Sequence, residues 1–346
     1  MDVLKDFPRT ALEFERRFAT EEDCMAYLRS VRWPDGFRCP RPGCDGRKSW
    51  QLRSRLLDEC AACGHQVSIT AGTLFHGTRK GLLLWFRVLS QFLVAKSGCS
   101  AKDLQRQHGV SYQTAWTWLH KVRACMDRLG AKKLSGAVEV DEAYVGGTDD
   151  KRHKGRSLGG KKYLLVGAAE DRGPTMGRAR LDTASDASGR SLCGFVADNV
   201  EPGSTVKTDG LSAYLPLKEQ GFAHDRRVLL DPKEASKKLP KIHRVFSLFK
   251  RLLLGTYQGA PSPHHSKAYR DEFVFRFNRR SSANRWLLFQ RLLASALRPE
   301  AGYHQLPGVT DQFFLGQRHA ISVPVPGPIT GPQNSLCLLT GAPARQ

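Results

Sequence analysis

The stretch "GAVEVDEAYV", residues 136–145, decides how the larger part of this chain folds. Its valines and alternating polar positions read as a β-strand. Asp141 nevertheless stands where the apolar run ends, and a carboxylate there is costly to bury without a cationic partner. The stretch "STVKTDG", residues 204–210, repeats the arrangement with Asp209. Two such aspartates in one sheet domain suggest a shared metal site. The alternatives are local: Asp209 before Gly210 also suits a turn, and Asp141 also suits a loop cap.

Working outward, "KKYLLVGAAE" (161–170), "GRARLDTA" (177–184) and "RRVLL" (226–230) read as further strands between helical segments. The spacing predicts an α/β or α+β domain with a central sheet over 131–298. Upstream, 79–130 returns to helical periodicity, and 36–78 holds short β-like runs, "SWQLRS" and "HQVSIT", separated by Gly and Pro. Residues 1–35 predict one or two short helices with Phe14, Phe18 and Tyr27 on an inner face. Residues 299–346 are Pro- and Gly-rich, as in "SVPVPGPITGPQNS", and are expected to be poorly ordered.

The 346 residues carry 54 Lys and Arg against 33 Asp and Glu, a formal net charge of +21. So positive a surface calls for a polyanionic partner, and nucleic acid is the first candidate. The most apolar window, "GLLLWFRVLSQFLVAKSG" (81–98), is broken by Arg87 and Gln91 and reads as a buried helix rather than a membrane span. The N-terminus lacks the apolar core of a signal peptide, so the chain is expected in the cytoplasm, with no membrane partner. Nine cysteines in that compartment point to metal where they cluster and to packing where they do not.

Four do cluster. Cys39 and Cys44 form a C-x4-C pair, and Cys60 and Cys63 a C-x2-C pair, across a short β-rich connection. Each tight turn sets its two sulfurs on one side, so the spacing predicts a zinc ribbon with one tetrahedral structural Zn²⁺. His65 and His76 are spare ligands, and a closed site of four thiolates carries no catalysis.

In "SAKDLQRQHGVSYQTAWTWLHKVR", residues 100–123, Ser100 caps a first helix, Gly109 makes the turn and Ser111 caps a second. The spacing is that of a DNA-binding helix-turn-helix, with Tyr112, Gln113 and Thr114 placed to read base edges. A plain helical hairpin is the bland alternative.

Taken in order, the zinc ribbon, the helix-turn-helix, "VEVDEAYVGG", "VKTDGLSAY", "HRVFSLFKRLLLGTYQG" and "YRDEFVFRFNRR" resemble the bacterial insertion-sequence transposases of the 1595 group over about residues 10–297. The resemblance implies a ribonuclease-H-like catalytic domain of the DDE type, with Asp141 and Asp209 binding two catalytic Mg²⁺ or Mn²⁺ ions. It also implies a third position on the helix after the last strand, seven residues before a basic residue. That position is His243, a departure from the acidic triad, and the basic residue is Lys250.

His243, Ser247 and Lys250 share one helical face, with Val245, Phe249 and Leu252 on the buried one. Imidazole is softer than carboxylate, so Mn²⁺ is expected to serve better than Mg²⁺. Asp231 or Glu234 could supply an oxygen ligand instead. Arg244, Arg251, Arg276, Arg279 and Arg280 are expected on DNA phosphates, although "FRFNRR" (275–280) also reads as a solvated helix end with core phenylalanines. The expected partners are double-stranded DNA, as element ends and target, and further copies of the chain in a dimer or larger assembly at the nucleoid. A domesticated DNA-binding protein and a nuclease without strand transfer are the competing functions.

Overall fold

The computed structural model describes residues 8–52, 57–127, 132–146, 162–228, 235–259, 261–282, 284 and 286–297. The Pro- and Gly-rich segment and the carboxylates Asp231 and Glu234 lie outside the described residues.

Local signals set most helix ends. In α1 (Ala11–Arg17), Thr10 accepts the Glu13 backbone N–H; α2 (Glu21–Arg32) starts with a capping box of Thr20 and Asp23. The helix α3 (Leu82–Val94) has only Gly81 at its N-cap, and Glu21 of α2 accepts its Leu82 and Leu83 N–H groups at 2.7 and 3.1 Å. A second capping box, Ser100 with Asp103, opens α4 (Ala101–His108), which ends at Gly109 with φ of 64°. Ser111 then accepts the Thr114 N–H at the start of α5 (Tyr112–Asp127).

Between α2 and α3 lies a small antiparallel sheet, β1 (Ser49–Leu52), β2 (Leu57–Cys60) and β3 (Gln66–Ser68), in that order. The sequence pattern had suggested two strands there. The middle one, with two carboxylates beside Cys60, lacks the β-branched text that marks a strand.

The larger sheet runs β6-β5-β4-β7-β8, from β4 (Ala137–Gly146), β5 (Lys162–Arg172), β6 (Thr175–Ala184), β7 (Thr205–Thr208) and β8 (Ala223–Arg226). The first three are antiparallel neighbours, whereas β4, β7 and β8 are parallel. The last strand is "AHDR", not "RRVLL": it pairs from Ala223 to Arg226, and Leu229 and Leu230 lie outside the described residues. One face of this sheet packs on α6 (Gly189–Asn199) and a 3₁₀ helix (Ser212–Lys218). On the other lie α8 (Pro240–Thr256), which follows the one-turn α7 (Ala235–Lys238), and α9 (Pro263–Asn278).

Packing does not follow chain order at the end. The helix α10 (Leu287–Ala296) leaves the sheet domain and buries Phe289, Leu292 and Leu293 among α1 to α5. Phe14 stacks on Trp286 at 4.9 Å and meets Phe289 edge-on at 5.2 Å, while Trp85 of α3 stacks on Trp118 of α5 at 3.7 Å. The helices of 1–35 and 79–130 therefore share one core with a segment that the sequence reading had grouped with the sheet.

Candidate metal centres and the groove beside them

The four cysteines of the ribbon converge. All four sulfurs lie within 4.8 Å of one another, with Cys39 and Cys63 Sγ 3.7 Å apart and Cys44 and Cys60 Sγ 3.8 Å apart. A tetrahedron with metal–sulfur bonds of about 2.3 Å has edges of about 3.8 Å, so the donor set fits Zn²⁺. The backbone N–H of His65 draws the Cys63 thiol down to about 7, toward the thiolate. His76 instead accepts the Gly72 N–H at Nδ1. Gly46 crosses the cluster so closely that an added Cβ would overlap Cys60 Sγ. Gly46→Ala is accordingly expected to weaken zinc retention at least tenfold, as read by competition with a chromophoric chelator; unchanged retention would mean that the backbone can yield there.

The second cluster forms where β4 and β7 lie side by side. Glu139 pairs with Lys207 in that parallel ladder; two residues further along, Asp141 lies within β4 and Asp209 just past the end of β7. The order of strands turns back at β4, the place where open sheets leave a crevice at strand ends. Oxygens of Asp141, Glu142 and Asp209 all lie within 4.8 Å of one another. Burial, then Glu142, and further Asp209 and Glu139 push the Asp141 carboxyl up to about 7. Asp209 also makes the turn contact foreseen for it, its Oδ1 accepting the Leu211 N–H at 2.9 Å. Glu142 is held by the buried Tyr214 hydroxyl, which donates to it at 2.9 Å.

Helix α8 brings His243 to this cluster. Gly167 of β5 stands opposite Asp141, and a Cβ there would come within 2.8 Å of Ile242 and Phe246, so the glycine lets α8 lie close on the sheet. Leu239 offers α8 no side-chain cap; the buried Glu139 instead accepts the Lys241 and Ile242 N–H groups at 2.7 and 3.0 Å. His243 Nε2 then sits 3.3 Å from Asp141 Oδ2, buried and with no hydrogen-bond partner among the described residues. Burial, and after it Lys250, lowers the His243 pKa, which keeps the ring neutral at pH 7. Three close carboxylates, one reluctant to ionise, beside an unengaged neutral imidazole make a donor set that fits a divalent cation.

Ser247, Lys250 and Arg251 line an open groove of about 810 Å³ with Glu142 and His243, as the shared helical face requires. Arg244 is exposed on the same helix. Tyr112 is 51% exposed and Gln113 is exposed, whereas Thr114 shares its hydroxyl with Ser111 at the helix start.

The arginines of "FRFNRR", expected on DNA phosphates, also make bonds within the protein. Arg276 is half-buried, pairs with Glu272 and donates to the carbonyls of Phe92 and Ala95. Arg280 donates to the carbonyls of Gly177, Phe277 and Met176, and Arg279 lies over Phe275 while donating to its carbonyl. Free carbonyls at a helix end and a hairpin edge compete for guanidinium, and here they capture it. Conversely, Glu139, Glu142 and Tyr214 were not singled out, although two of them flank Asp141 in the opening stretch.

Residues 133–278 match the ISXO2-like transposase domain, and residues 19–66 match the transposase zinc-ribbon domain of the same group. An uncharacterised protein in transposable element ISH50 of Halobacterium salinarum is 27% identical over 221 residues, 59% of this chain and 72% of that protein. Among solved structures, a chain in a pre-cleavage Mos1 transpososome aligns over 60% of this chain and 78% of its own, at a TM-score of 0.25 and 14% identity. Residues 19–66 contain the cysteine cluster and residues 133–278 the carboxylate cluster. The chain belongs to the insertion-sequence transposases of the 1595 group.

Proposed function

We propose that the chain binds the ends of its insertion sequence and carries out metal-dependent cleavage and strand transfer of DNA through a ribonuclease-H-like site of DDH type. The observation that carries this reading is the meeting of Asp141, Glu142 and Asp209 with His243, whose Nε2 lies 3.3 Å from Asp141, beside a groove lined by exposed cations. The strand order, with Asp141 in β4 and Asp209 just after the adjacent parallel β7, supports the same assignment.

Asp141, Asp209 and His243 would hold Mg²⁺ or Mn²⁺, with Glu142 at hand as a further oxygen donor. Bound there, such ions supply activation of water or a 3′-hydroxyl and neutralisation of the leaving oxygen in an in-line displacement. The residues of the chain do the rest. Glu139 fixes the start of α8 and with it the angle of His243. Lys250, Arg251 and the Ser247 hydroxyl hold the phosphodiester backbone along the groove, and the +21 charge of the chain draws DNA toward it. Helices α4 and α5 act as a helix-turn-helix, with Tyr112 and Gln113 exposed for base contacts. Because two ends must be paired, the working form is a dimer or larger assembly on DNA.

Incubating purified protein with labelled element-end DNA and Mg²⁺ or Mn²⁺ tests the reading. Wild type is expected to give joined products, better with Mn²⁺, and His243→Ala to lower joining about a hundredfold while DNA binding persists. Cut but unjoined strands would make the chain a nuclease, and binding without cutting would make it a DNA-binding protein. Full joining by His243→Ala would remove the imidazole from the site and leave Glu142 as the third donor.

A further inference from the structure

The groove beside the carboxylates does not end on α8. A second open cavity of about 750 Å³ lies between the α4–α5 pair and the end of α8, and the two cavities share Gly255. At Gly255 a side chain would meet nothing within 4 Å, so no wall stands between them there. The second cavity is lined by Lys102 and Arg106 of α4, by Tyr112 and Trp116 of α5, and by residues 255–258. Lys102, Arg106, Lys250 and Arg251 are all exposed. The carboxylates along the path are Asp103, which is engaged with Ser100 at 2.7 and 3.0 Å, and Glu142 at the catalytic end. A run of free cations beside an aromatic face suits a nucleic-acid backbone.

Polar latches hold the two ends of this path to each other. Thr256 donates to the Ser97 carbonyl at 2.9 Å, and the Tyr257 hydroxyl donates to Glu272 at 2.7 Å, next to Arg123 of α5.

Resting on the DNA-cutting function proposed above, we infer that one DNA segment runs from the α4–α5 pair along α8 into the carboxylate cluster of the same chain. Gly255 stands twelve residues beyond His243 on α8, which at 1.5 Å per residue is about 18 Å. With a duplex rise of 3.4 Å, that distance corresponds to about five base pairs. Tyr112 lines the same cavity as Gly255, so it is expected to meet DNA about four to seven nucleotides from the phosphate that is cut, and each protomer cuts the end that it recognises.

The test uses the full chain with a benzoylphenylalanine photo-crosslinker in place of Tyr112, a side chain exposed enough to accept it, and labelled element-end DNA. The crosslinked nucleotide is mapped relative to the cut made by wild type. The expected position is about four to seven nucleotides away; crosslinks more than about ten nucleotides away overturn the path. In a second arm the crosslinking chain also carries Asp141→Asn and is mixed with excess wild type. Crosslinked ends that stay uncut support cutting by the same protomer, and crosslinked ends that are cut overturn it. Should the probe at position 112 impair folding, the same probe at the exposed Arg106 reports on the same path. Wild type that cuts no element-end DNA would sink the transposase chemistry itself, whereas wild type that cuts while the probe maps elsewhere sinks only the path.

Discussion

Asp141→Asn is expected to abolish joining and, at the same time, to make the metal-free protein more stable at pH 8. On the proposed function, loss of this carboxylate should lower the rate by at least about a thousandfold, since a cation held there would neutralise charge in the transition state. The stability gain comes from the same feature. Asp141 is 8% exposed, and burial first, then Glu142 and Asp209, raise its pKa from 3.8 to about 7. Between those two values the unfolded chain gives up its proton before the folded one does. Folding stability contributed by this group therefore falls as pH rises from about 4 to 7 and stays low above. Asparagine never ionises, so it escapes that loss, which three pKa units put at about 4 kcal/mol at most. Thermal melts check the sign: the variant should melt several degrees above wild type at pH 8 without metal, and level with it near pH 4. Saturating Mn²⁺ should stabilise wild type preferentially and close the gap. A variant that melts below wild type at pH 8 without metal would refute this account of the cluster.

The second large effect lies away from the chemistry, at Glu272. This carboxylate is fully buried between Arg123 and Arg276, each 2.8 to 2.9 Å away, and accepts the Tyr257 hydroxyl at 2.7 Å. Burial alone would raise its pKa, but Arg276 and Arg123 outweigh burial and hold it below the ordinary carboxylate value. Arg123 in turn lies over the Tyr269 ring at 4.3 Å. Glu272→Ala would leave the buried Arg123 guanidinium uncompensated and strip Arg276 of its carboxylate, at a cost of about 3–5 kcal/mol. Urea unfolding at pH 7 reads that loss. With a lowered folded pKa, the contribution is present above about 4.5 and disappears as pH falls, so the variant and wild type should converge in acid. Arg123→Ala combined with Glu272→Ala should cost less than the sum of the single changes, because the two share one interaction. Strict additivity would show that the groups do not act together. The network ties α5 to α9 and to the end of α8, so the variant is also expected to loosen the seating of the catalytic helix.

Much of this was legible in the residue order because its physics is short-ranged. The cysteine pairs close through turns of a few residues, and the capping boxes at Thr20 and Ser100 act over three positions. The shared face of His243, Ser247 and Lys250 follows from 3.6 residues per turn once the helix is granted. Asp141 and Asp209 stood out because a carboxylate amid or just after strand-like apolar text needs a reason; the structure carries β4 five residues beyond Asp141, to Gly146. Tertiary structure alone decided the rest. Parallel pairing of β4 with β7 set those aspartates side by side, and Gly167 let α8 approach them. Arg276 and Arg280 found carbonyls of Phe92, Ala95 and Gly177, at least about a hundred residues away in sequence, beside them. Glu139 and Glu21 cap helices on other parts of the chain. A charged side chain takes whatever partner the fold brings within 3 Å, and no local pattern records a partner that arrives from a distant segment.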